Sequence, residues 1–201
     1  MADKAPIRTR MRAVLAAISP QDRHQRSLAV CQRLAETRQF REANVIMLFI
    51  SMDNEVETST LALRAWKENK AVAVPRVHWE ERRIEPVEIS SLQTTPNRVV
   101  PGLRDPTQGT VVPLGCIDLV AVPGLAFDRR GYRVGRGKGF YDRFLAHHDF
   151  RGLRIAPCFH EQILDEPVPI EAHDVPMDMM VTDREIVLCT HRRATTGNRD
   201  T

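Results

Sequence analysis

Three short apolar runs constrain this chain more than anything else in it: NVIMLFIS (44–51), KAVAVP (70–75) and CIDLVAVPG (116–124). Each is continuous rather than alternating and carries β-branched members, the pattern of a strand covered on both faces. Around them the spacing becomes helical. Ile7, Met11, Val14, Leu15 and Ile18 share one face of a helix over about residues 5–18. Ser19 and Pro20 then offer an N-cap and a first helical residue for a second helix running to about Arg38. Residues 56–69 read as a third helix, and Pro75 as the stop of the second strand. Further along come a strand at 83–89, a short helix at 140–148 and strands over 153–158 and 179–187. Apolar strands alternating with amphipathic helices predict an α/β fold: a three-layer α/β/α sandwich around a mostly parallel, doubly wound, Rossmann-like sheet. Residues 1–189 are expected to form it as one domain, followed by a polar, disordered tail at 190–201.

Several function classes are disfavoured at this stage. A formal net charge of +3 is too mild to imply a nucleic-acid surface by itself. Cys31, Cys116, Cys158 and Cys189 are far apart, with no Cys-x-x-Cys pair. They read as reduced, mostly buried thiols of a cytosolic protein. The N-terminus has no signal-type apolar region and no run approaches membrane-spanning length, so a soluble, cytoplasmic protein without a membrane partner is expected.

The stretch GYRVGRGKGFYDRF (131–144) carries the chemistry. It follows the run ending at Val122, and in open α/β sheets ligands gather at the carboxyl ends of strands. Gly135, Gly137 and Gly139 free the backbone N–H groups to converge on an anion. The start of the next helix adds partial positive charge, and Arg133, Arg136 and Lys138 add full charges, which suits a polyphosphate. The spacing matches neither the dinucleotide fingerprint nor a P-loop. A solvated surface loop or a nucleic-acid contact, with Tyr132, Phe140 and Tyr141 stacking on bases, are the competing readings. Asp142 tips the balance, because an acid beside a phosphate site calls for a hard cation between them; ATP with Mg²⁺ fits better than nucleic acid.

The longer segment PGLAFDRRGYRVGRGKGFYDRFL (123–145) closely resembles the signature of the 5-formyltetrahydrofolate cyclo-ligase family. FISMDNEVET (49–58), ISPQDRHQRS (18–27) and EAHDVPMDMMVT (171–182) are similar, in order, to that family's folate-side strand end, its second helix and its C-terminal acidic motif. The resemblance runs from about Lys4 to Thr182. It implies an enzyme that uses ATP and Mg²⁺ to convert 5-formyltetrahydrofolate to 5,10-methenyltetrahydrofolate; a monomer with no nucleic-acid partner is expected.

The same resemblance assigns residues. Lys4, Arg8 and the loop Arg133, Val134, Gly135, Arg136, Gly137, Lys138, Gly139, Phe140 and Tyr141 would bind ATP. Ile50, Glu55, Arg136, Gly137, Lys138, Gly139 and Phe140 would meet the folate. Asp142 and Asp174 would hold Mg²⁺, and Arg136 and Lys138 would neutralise the transferring phosphoryl group. Phe140 stands where the family often has Tyr, and Asp105-Pro106 where many members have Glu-Pro, so residues 76–116 receive no site. Trp79 is isolated but able to border a pocket. His147, His148 and His160 read as surface or packing histidines, and Met177, Met179 and Met180 as core. Two other classes stand against the enzyme: a non-catalytic nucleotide- or RNA-binding module, which has little use for Glu55, Asp142 and Asp174, and a sugar-phosphate isomerase, which needs no ATP.

Overall fold

The computed structural model describes residues 3–189, so the tail expected at 190–201 lies outside the described residues. In chain order the elements are α1 (Ala5–Ala16), α2 (Pro20–Ala35), α3 (Arg38–Glu42), β1 (Val45–Met47), α4 (Ser59–Lys67), β2 (Ala71–His78) and β3 (Arg83–Glu88). Then follow β4 (Thr94–Pro96), β5 (Arg104–Pro106), β6 (Thr110–Val111), β7 (Leu119–Ala121), β8 (Ala126–Asp128), β9 (Arg133–Val134) and α5 (Phe140–Leu145). The chain ends with β10 (Leu153–Pro157), β11 (Ile163–Leu164), β12 (Met179–Val181) and β13 (Ile186–Leu188). The main sheet has the order β13-β12-β10-β7-β1-β2-β3-β6, parallel from β12 through β2 and antiparallel at both edges.

Successive strand residues face opposite ways, and two cores result. Ile46, Leu119 and Ala121 face the helical layer that contributes Met11, Leu15, Val30, Leu34 and Leu61. Met47, Val120, Ala156 and Met180 face Phe144 and Leu145 of α5 and Phe150 beyond it. Helices thus cover both faces, unequally. The expected N-cap is present: Ser19 Oγ accepts the Asp22 N–H at 3.1 Å. The second helix stops at Ala35 rather than Arg38, because Thr37 opens α3 by accepting the Phe40 N–H.

Pro75 does not stop β2. The strand continues to His78, with Pro75 directly opposite Pro86 in the antiparallel partner β3. Neither proline has an N–H, so the two share a position that exchanges no ladder hydrogen bond. On the other side, pairing with β1 ends at Ala73, and no neighbour needs the missing donor. The strand expected over 179–187 is two antiparallel strands, β12 and β13, joined through a turn in which Thr182 Oγ1 accepts the N–H groups of Arg184 and Glu185.

The four cysteines carry no disulfide; Cys31 and Cys158 are buried, Cys189 half-buried and Cys116 exposed. Burial pushes the Cys31 and Cys189 thiols up to about 12, which leaves them unreactive at neutral pH. Met177, Met179 and Met180 lie in the core as expected. Among the described residues no helix is long and apolar enough to cross a membrane.

The hairpin β8–β9, absent from the sequence reading, aims the signature loop. Asp128, 2% exposed, accepts the N–H groups of Arg130, Tyr132 and Val168 and the Arg130 guanidinium. Gly131 turns the chain at φ +91°, and a Cβ there would lie 2.5 Å from the Met177 carbonyl oxygen. Backbone strain and a backbone clash act together, so Gly131→Ala is expected to lose about 3 kcal/mol of stability. Urea unfolding measures this directly, and a midpoint within error of the parent would refute it.

Candidate active site

The strand order reverses at β1, which pairs with β2 on one side and β7 on the other. Such a switch point opens a crevice at the carboxyl ends of the strands. Phe49 and Ile50, past β1, and Pro123 and Gly124, past β7, line a cavity of about 410 Å³ there. Every residue expected at the site lines it except Val134, whose side chain turns into the core while β9 directs its neighbour Arg133 toward the cavity.

The loop after β9 is built as the glycines require. Gly137 and Gly139 have φ of +97° and +66°, left-handed values that favour glycine. Arg143 fixes the loop from below, donating through Nη2 to the Lys138 carbonyl at 2.8 Å and through Nε to the Arg82 carbonyl at 3.1 Å. Arg8 Nε donates to the Gly135 carbonyl at 3.0 Å. The Lys138 side chain itself is exposed, with no hydrogen-bond or ion-pair partner among the described residues. One expectation changes: α5 has only six residues, too few peptide dipoles for its N-terminus to contribute much. The loop's N–H groups and full charges carry the anion site instead.

Each of the three expected acids sits against a cation of the same cavity. Lys4 Nζ lies 2.5 Å from Asp174 Oδ2, Arg133 Nη2 2.6 Å from Asp142 Oδ1, and Arg136 Nη2 2.9 Å from Glu55 Oε1. Asn54 Oδ1 also accepts from Arg136, at 2.9 Å, and Glu55 Oε2 accepts the Met52 N–H. Asp174 further accepts the Glu171 N–H at 2.7 Å. Burial pulls the Arg133 guanidinium below its ordinary value, against the pull of Asp142. Burial, reinforced by the Glu55 charge, raises the Tyr141 phenol and keeps it a donor.

Cations outnumber carboxylates along the cavity wall, so its potential favours an anionic ligand. Among the described residues, Arg133 Nε, Tyr141 Oη and Trp79 Nε1 are buried without hydrogen-bond partners, all on wall residues. Unpaired polar atoms gathered this way fit a site that a polar ligand completes. The carboxylates of Asp142, Asp174 and Glu171 line the same wall and offer oxygen donors, the set a hard cation such as Mg²⁺ takes. Ligand atoms of Glu171, His173 and Asp174 lie within 4.8 Å of one another, a group that does not include Asp142.

The remaining wall is apolar and comes largely from residues 76–116, where no site was expected. Val77, Trp79 and Ile84 line it, with Trp79 meeting the Phe140 ring edge-on at 5.1 Å between centroids. Alternation of Val77 and Trp79 is a strand signal, hidden by treating Pro75 as a terminus. Arg12 also lines the cavity, four residues beyond Arg8 as Arg8 is beyond Lys4. Residues at i, i+4 and i+8 share a helix face, so the sequence already held that signal.

Known proteins resemble this chain along most of its length. The model of the 5-formyltetrahydrofolate cyclo-ligase family matches residues 1–183. The mouse 5-formyltetrahydrofolate cyclo-ligase is 31% identical over 186 residues, covering 87% of this chain and 91% of its own. The Haemophilus influenzae enzyme of the same name is 31% identical, covering 87% and 95%. The solved structure of Aquifex aeolicus 5,10-methenyltetrahydrofolate synthetase superposes with a TM-score of 0.80 at 27% identity, covering 98% of this chain and 97% of that one.

Proposed function

The chain belongs to the 5-formyltetrahydrofolate cyclo-ligase family, and from that premise we propose that it closes 5-formyltetrahydrofolate to 5,10-methenyltetrahydrofolate at the expense of ATP, with Mg²⁺. The observation that carries the reading is one cavity that joins a cationic glycine loop to an apolar wall ending in Glu55.

A formyl amide is a weak electrophile because its nitrogen feeds electrons into the carbonyl. The formyl oxygen takes the γ-phosphoryl group of ATP as the bond to ADP breaks; N10 then attacks the activated carbon and releases its proton to solvent, and phosphate leaves with the former formyl oxygen. No protein nucleophile is needed for such a transfer, which depends on alignment and on neutralising the spreading charge. The N–H groups of residues 135–139 cradle the triphosphate, and Lys4, Arg8, Arg133 and Lys138 supply charge around it. Asp142 and Asp174 would hold Mg²⁺, which neutralises the phosphates when bound. Ile50 and the apolar wall take the pterin, and Glu55 hydrogen-bonds its ring nitrogens. Arg136, which joins the loop to Glu55, stands between nucleotide and folate and orients one toward the other.

Purified protein with 5-formyltetrahydrofolate, ATP and Mg²⁺ should produce the near-ultraviolet absorbance band of the methenyl product. Omitting ATP or adding EDTA should abolish it. No absorbance change from folded, ATP-binding protein would reject the reading.

A further inference from the structure

The reaction involves N5, the formyl carbon and N10, yet the folate continues beyond N10 into a p-aminobenzoyl ring and one or more glutamates. Resting on the folate reading above, the question is which protein groups meet that end. The cations of the cavity divide by their partners. Lys4, Arg133 and Arg136 each hold a carboxylate, Arg8 holds a carbonyl, Arg12 shares the α1 face of Lys4 and Arg8, and Lys138 belongs to the glycine loop. Arg104 belongs to none of these groups: it lies on the β4–β5 hairpin, which forms a separate two-stranded sheet against β2.

Three features tie this hairpin to the folate side. Its tip rests on the segment that carries Glu55, since a Cβ on Gly102 would lie 3.4 Å from Met52 Cε. Val100 and Leu103, both half-buried, add apolar surface to the cavity wall. The hairpin is also internally braced: Asn97 Oδ1 accepts the N–H groups of Val99 and Val100, and Asn97 Nδ2 donates to Asp105 Oδ2 at 2.7 Å. Asp105 is thereby occupied. The Arg104 guanidinium donates through Nε to Thr94 Oγ1 at 2.6 Å and through Nη2 to the Thr94 carbonyl at 2.9 Å. Its plane is held, and among the described residues its Nη1 has no hydrogen-bond partner and no carboxylate pairs with it. An oriented arginine beside an apolar slot suits an aromatic amide ending in a carboxylate.

We infer that the β4–β5 hairpin is the subsite for the p-aminobenzoylglutamate end of the substrate, with Val100 and Leu103 against the ring and Arg104 paired with a glutamate carboxylate. Arg104 then sets the preference for glutamylated over unglutamylated folate.

The test compares kcat/KM for 5-formyltetrahydrofolate and for 5-formyltetrahydropteroate, which lacks the glutamate, in the parent protein, Arg104→Gln, Arg104→Lys and Arg12→Gln. The parent should prefer the glutamylated compound by about tenfold, the worth of one charge-assisted hydrogen bond. In Arg104→Gln that preference should fall to near unity through KM for the glutamylated substrate alone, with KM for the pteroate and for ATP unmoved. Arg104→Lys should keep part of the preference, and Arg12→Gln all of it. Equal weakening of both substrates by Arg104→Gln would mean that the residue only braces the hairpin, and would overturn the inference. So would loss of the preference in Arg12→Gln, which would put the tail along α1. A parent protein inactive toward both compounds would instead reject the folate reading, and this inference with it.

Discussion

Lys138→Ala should lower the rate of methenyl formation by about 10²- to 10³-fold, the usual cost of removing one preorganised charge from a transition state. Its melting temperature should stay within about 2 °C of the parent. The two halves of this result come from the same observation. Lys138 projects from between two glycines of left-handed backbone, is exposed, and makes no side-chain hydrogen bond or ion pair among the described residues, so truncation removes no polar structural contact. The loop is pinned by Arg143 and Arg8 through main-chain carbonyls of Lys138 and Gly135, and those bonds survive the change. Absorbance kinetics beside thermal melting separates the two effects. A variant that retains half its rate would exclude Lys138 from phosphoryl transfer; one that unfolds would show the side chain to be structural.

Asp142→Ala should show the opposite pattern, losing stability as well as rate. Arg133 is 6% exposed, and Asp142 is its hydrogen-bonded counter-ion. Stripping one partner from a buried pair leaves an uncompensated charge, which costs about 3–5 kcal/mol, or on the order of 10 °C in a chain of this size. Asp142→Asn retains an acceptor for Arg133 and should lose less stability, while the rate still collapses because the carboxylate proposed to hold Mg²⁺ is gone. Replacing both partners, Arg133→Met with Asp142→Leu, should recover most of the lost stability in an inactive protein. Denaturant unfolding of the four proteins tests the scheme. If Asp142→Ala melts with the parent, Arg133 does not depend on Asp142.

The parts legible in the sequence were those governed by local rules. Short apolar runs gave the central strands, Ser19 and Pro20 gave the start of α2, and the glycines of the signature gave the loop. Recognition of the family contributed Glu55, Lys4 and Asp174, which lie far apart in the chain and which periodicity alone does not join. What escaped was set by pairing between distant segments. Pro75 looked like a terminus because its effect depends on what lies opposite, and that is Pro86. The tip between β4 and β5 is organised by Asn97 bonding across the hairpin to Asp105, a contact with no local signature. Trp79, Leu103 and Arg104 therefore went unassigned. Arg12 was legible and was missed, since the spacing Lys4, Arg8, Arg12 needs no structure to find.

The pair between Lys4 and Asp174 spans 170 positions, and that distance has a consequence for biosynthesis. During translation the central parallel strands can form once β10 has emerged, yet the cationic helix face would then stand beside a gap where Asp174 and Glu171 belong. Contacts of such long range form late, after the closure entropy of the intervening chain has been overcome. A nascent chain stalled short of about residue 174 therefore has a glycine loop and no counter-ion for Lys4. It can gather stray polyanions but cannot present the acid that accompanies a metal-bound nucleotide. Ligand competence arrives with the last part of the domain to be made.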